Sequence, residues 1–206
     1  MAQSIPAVPP AGPPAELKKI GRPPAEICAL FPLSDEGRAV FDPALPPRDF
    51  VDRLCAGGLF PDAVRFLAYA LPKREAVWWA CLAARAALGE GAPKPQADAL
   101  AAAEAWVYKP EEDSRRAAMA SANAAGLDNP ASWAAVAAFW SDGSLAPPDA
   151  PVVPPGDTLT AGAVAGAVLL GAVQREPDRA PEKYRLFIAQ ALDIARGGNG
   201  RVDAPG

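Results

Sequence analysis

The chain has 206 residues, with 20 Lys+Arg against 24 Asp+Glu, a formal net charge of −4 and no His. Without His the usual general base, every Ser–His or Cys–His nucleophile pair and the commonest metal ligand are gone. The acidic balance argues against a nucleic-acid partner, which asks for a basic face, and no cofactor or metal ligand set is expected.

Along the chain, prolines divide the sequence into three parts. Residues 1–46 form a Pro-rich arm, expected to be extended or short-helical because Pro removes a helix donor and clashes with the preceding turn. Its first 19 residues carry almost no large apolar group and are expected to be disordered. From Ile20 to Phe41 such groups return, which predicts a strap across the domain with Ile27, Leu30 and Phe31 as anchors. Within it, Ser34-Asp35-Glu36-Gly37 reads as a turn.

Residues 47–196 read as a single helical domain. Period-3.6 stripes predict a short helix after Pro47 (Phe50, Val51, Leu54) and one opened by Pro61 (Val64, Leu67, Ala68). Lys73 to Leu88 follows, with Ala76, Trp79, Ala80 and Ala83 inward, then Pro95 to Tyr108 with Ala99, Ala103 and Trp106. Acids Glu111, Glu112 and Asp113 suit the positive end of a helix running to Ala125, with Arg115 and Arg116 pairing Glu111 and Glu112 at i,i+4. Asn129-Pro130 starts the next helix, through Trp133 and Val136.

A Pro-rich loop at 141–157 separates these from a C-terminal pair. Thr158 to Val173 is uncharged and rich in Gly and Ala, with Asp157 as its expected cap. It is shorter than the roughly 18 residues of a membrane span, so a central, fully surrounded helix is expected, with Gly162 and Gly166 at a close approach. Pro181 to Arg196 carries Tyr184, Phe187, Ile188 and Leu192 on one stripe, and residues 197–206 read as a helix stop and a disordered tail. About eight helices and no strand result, an all-α bundle or short HEAT-like stack of helical hairpins. PDAVRFLAYALPKREAVWWACLAARAAL looks like one hairpin unit, echoed by ADALAAAEAWVYKPEEDSRRAAMASANAA.

Catalytic templates fail one by one. There is no G-x-S-x-G elbow, phosphate loop, dinucleotide fingerprint or calcium-loop spacing. Two carboxylate groups remain, Asp35-Glu36 and Glu111-Glu112-Asp113, as candidates for acid–base work if one member is desolvated. Cys28, Cys55 and Cys81 fit no zinc or redox spacing and suit a reducing, cytoplasmic setting. Trp78-Trp79 lie about 100° apart on one helix, so either that helix is covered on two sides or one Trp is presented to a partner.

From about Leu54 to Trp140, and above all in FPDAVRFLAYALPKREAVWWACLAAR, the chain resembles a family of small bacterial all-helical proteins of unknown function found among accessory genes of type VI secretion clusters. The resemblance implies an accessory or adaptor role near that apparatus and assigns no functional residues. The leading expectation is a non-enzymatic, cytoplasmic, adaptor- or chaperone-like module that binds another protein, such as a secretion-system component, through Trp78, Trp79, Ile27, Leu30 and Phe31. A carboxylate-dependent enzyme and a membrane-associated protein anchored by residues 158–173 stand as the alternatives.

Overall fold

Proline sets most of the helix starts. A computed structural model of the chain describes residues 16–202, among which lie ten α-helices: α1 Pro24–Cys28, α2 Asp35–Val40, α3 Pro47–Ala56, α4 Phe60–Ala70, α5 Lys73–Leu88, α6 Lys94–Tyr108, α7 Glu112–Ala125, α8 Pro130–Phe139, α9 Leu159–Val173 and α10 Ala180–Arg196. Six of them (α1, α3, α4, α6, α8, α10) carry Pro in the first turn, where a missing N–H costs nothing. The all-helical expectation holds, and the eight helices expected over 47–196 are α3 to α10.

The arm contributes two further short helices. Ser34-Asp35-Glu36-Gly37 is the start of α2 and not a free turn: the Ser34 hydroxyl accepts from the Gly37 N–H at 2.9 Å. Residues 1–15, most of the stretch expected to be disordered, lie outside the described residues. Leu17, inside that expected disordered stretch, is buried together with Ile20, Ile27, Phe31 and Leu33, so docking begins before Ile20. The backbone joins in, with the Lys19 N–H donating to Ala195 O at 2.9 Å.

The centre of the core is α9, which packs against α4, α5, α8 and α10. It is not surrounded completely: Gly162 faces solvent and Val173 is 42% exposed. The tightest approach is also not at Gly166, where a side chain would meet Trp133 at an ordinary 3.8 Å. It is at buried Gly171, where a Cβ would stand 3.3 Å from the Ala83 carbonyl oxygen of α5. Small residues on α9 thus bring two backbones together, while Trp79, Phe50, Phe66 and Phe187 supply the bulk around them. Each such side chain taken fully out of water contributes roughly 1.5–3 kcal/mol or more before ordering costs.

α6, α7 and α8 pack each against the next across short links, as expected of helical hairpins. The segment from Pro61 to Leu88 behaves differently. α4 and α5 diverge at Leu71-Pro72, and α9 and α10 pack against both. Pro72 holds Leu71 extended (φ −72°, ψ 148°), so the two-residue link gives no tight reversal. The helices close into a bundle through these returning C-terminal elements.

Three local expectations are corrected. Asp157 does not cap α9: the N-cap is Thr158, without a side-chain bond. Arg115 pairs with Glu112 at i,i+3 (2.7 Å) and Glu111 with Lys109. Arg115 is also buried, donating to Phe139 O at 2.6 Å and Ser144 O at 2.9 Å, because the loop after α8 folds over it. Beyond Arg196, Gly197 stops α10 as expected, but residues 198–202 fold back on α5 and α10. Gly200, at φ +72°, fits against Leu82 and Ile194, and its N–H donates to Asp193 Oδ2 at 2.9 Å.

Candidate functional site

Helix periodicity separates the two adjacent tryptophans. Trp79 points inward and is fully buried, its Nε1–H donating to Phe187 O of α10 at 2.7 Å. Trp78, about 100° around the helix, is partly buried at the floor of a groove of about 780 Å³. One wall is α5 itself, which turns Arg74, Glu75 and Arg85 to the same side. The opposite wall is the last two turns of α6, with Glu104 and Tyr108. Lys19 of the arm and Asn199 and Arg201 of the C-terminal segment complete the rim.

Each wall has a local cause. Lys109-Pro110 ends α6 and leaves its last carbonyls without intrahelical donors. Arg74 reaches across from α5, donating to Val107 O at 2.7 Å and Tyr108 O at 3.3 Å. Tyr108 falls off the buried stripe of α6 and is 88% exposed. Trp78 donates its Nε1–H to Asn199 O at 2.7 Å, and the Arg201 guanidinium lies 5.8 Å from its ring centroid. Lys19 pairs with Glu75 at 2.7 Å, and Arg85 bonds both carboxylate oxygens of Glu104.

The expected arm anchors Ile27, Leu30 and Phe31 do not join this groove. Phe31 packs on Tyr69 of α4 with ring centroids 5.0 Å apart, and Ile27 is fully buried. Leu30 is 38% exposed and anchors nothing: α1 ends at Cys28, and the turn that follows carries Leu30 outward.

Neither carboxylate cluster is desolvated. Asp35 and Glu36 are exposed in the first turn of α2, with Asp35 paired to Arg38. Glu111 pairs with Lys109 at 2.9 Å, and hydrogen bonds from Arg115, then Arg116, hold the Glu112 carboxyl down at about 2. Among the described residues the buried carboxylate is Asp62, which no sequence pattern marks. Asp62 accepts from Ser34 N at 3.2 Å and Ser34 Oγ at 2.5 Å, tying the arm to α4. Among the thiols, burial first and Asp62 second push Cys28 up to about 11; burial first and Asp52 second do the same for Cys55. Cys81, fully buried, is raised further, again chiefly by burial. Among the described residues no helix is long and apolar enough to cross a membrane.

The described residues thus form an all-helical bundle that carries an aromatic, charge-rimmed groove. Residues 50–195 match the model of DUF6931, described as a family of unknown function, and the chain belongs to that family. No curated protein and no solved structure matches the chain.

Proposed function

We propose that this chain is a non-enzymatic adaptor, chaperone-like in action, that holds another protein in the groove floored by Trp78. The observation that carries the reading is Tyr108, a large aromatic 88% exposed at the edge of a 780 Å³ groove whose floor is a second aromatic. Aromatic anchors on an open, partly charged surface are the features that protein partners use as binding hot spots. The solvated, ion-paired state of Glu111, Glu112 and Asp35 supports the non-enzymatic part. Three free thiols support a reducing cytoplasmic setting. The accessory role beside a type VI secretion apparatus rests on the resemblance from about Leu54 to Trp140 alone.

Affinity capture from the native host, followed by mass spectrometry, tests the reading with the wild-type chain beside Tyr108→Ser. That substitution removes a side chain already in water, so the fold is kept. A partner retained by the wild type and lost by the variant supports the groove. A partner held equally by both places the binding surface elsewhere and sinks the proposal.

A further inference from the structure

Resting on the adaptor reading above, we infer that the groove accepts an acidic segment that carries an aromatic or branched apolar side chain. The sign of the charge inverts locally: on a chain of net −4, the groove is lined by four cations and only two carboxylates. Both carboxylates are already engaged, Glu75 by Lys19 and Glu104 by Arg85. The remaining cations, Arg74 and Arg201, have no carboxylate within ion-pair distance among the described residues. Arg74 donates to neutral carbonyls, and Arg201 lies over the Trp78 ring. An incoming carboxylate gains charge-assisted, two-pronged hydrogen bonds from either guanidinium. In the same groove, Trp78 and Tyr108 offer aromatic surface for one apolar side chain.

A single-stranded nucleic acid also combines negative charge with flat rings. It carries a charge at every residue, whereas this groove alternates cations with two carboxylates and sits on an acidic molecule. A peptide with a few spaced acids fits that pattern; a uniform polyanion meets repulsion.

Fluorescence anisotropy on the full chain tests the inference with three labelled decamers: Gly-Ser-flanked Asp-Glu-Leu-Trp-Asp-Glu, the same peptide with Lys for every acid, and the same with Ser for Leu and Trp. A 12-nucleotide oligothymidylate is the fourth probe. The acidic aromatic peptide is expected to bind at least about tenfold more tightly than each of the others, and to weaken about tenfold between roughly 50 and 300 mM NaCl. It should weaken about tenfold on Arg201→Glu and on Tyr108→Ser, both surface changes that leave the core intact. Equal or tighter binding of the Lys peptide, the Ser peptide or the oligonucleotide overturns the inference, as does no binding by any probe. The adaptor reading survives each of these outcomes if Tyr108-dependent capture of a partner persists, so the two fail separately.

Discussion

Trp78 and Trp79 are neighbours in sequence, belong to one helix and make the same bond, an indole N–H to a backbone carbonyl at 2.7 Å. Trp79 makes it in the dry interior, between α5 and α10, with no exposed surface. Trp78 makes it on the floor of the groove, with a guanidinium over its ring. The inner side of α5 therefore holds the bundle, and the outer side leaves aromatic surface accessible. The same bond is made in two environments because about 100° around one helix separates water from its absence.

The largest effect expected is at Trp79. Trp79→Ala should cost about 4 kcal/mol and Trp78→Ala about 1–2 kcal/mol, since a cavity opens only in the first case. Urea unfolding of both variants decides it, and equal costs would erase the distinction between the two sides of α5. The same inner side meets Gly171 through Ala83, so Gly171→Leu should lose about 2–3 kcal/mol by overpacking, while Gly166→Leu loses less than about 1. Reversal of that order would move the tightest contact of α9 back toward Trp133.

A smaller effect sharpens the contrast between wet and dry partners within one ion pair. Arg115 is buried, whereas the Glu112 side chain is 50% exposed. The Glu112 carboxyl titrates near 2 when folded against an ordinary 4.5, so its stabilisation is present above pH 4.5 and is lost as pH falls toward 2. Discounted for exposure, that amounts to about 1 kcal/mol or less. The stability difference between wild type and Glu112→Gln should close across this pH window and stay constant above it. The smallest readout is chemical: with Ellman's reagent at neutral pH, Cys81, on the inner side of α5, should remain unmodified until denaturant is added. Cys28 and Cys55, only partly buried, should react slowly. Fast reaction of Cys81 would mean that the inner side of α5 opens readily.

Most helix positions were readable because the inward stripes are long and Pro marks the first turns. What escaped was contact between distant segments. Nothing local to Asp62 announces that Ser34 will cover it, and nothing near Arg115 shows that the loop after α8 will bury it. Arg201 lies in a Gly-rich stretch that reads as disorder, and becomes a groove wall only because Gly200 fits against Leu82 and Ile194. Tyr108 was readable in principle, as a large aromatic outside the Ala99, Ala103 and Trp106 stripe. Leu30 misled for the opposite reason, an apolar residue whose helix ends two positions earlier.

The place of α9 also bears on how the molecule comes apart. In a linear array of repeats each unit touches only its neighbours, and ends fray independently of the middle. Here a helix late in the chain sits against α4, α5 and α8 at once, so those three lose a shared wall if it leaves. Sequence-distant contacts of this kind slow folding and couple the parts. Amide protons of α4, α5, α8 and α9 should accordingly exchange through one common opening, with the same free energy and the same sensitivity to denaturant.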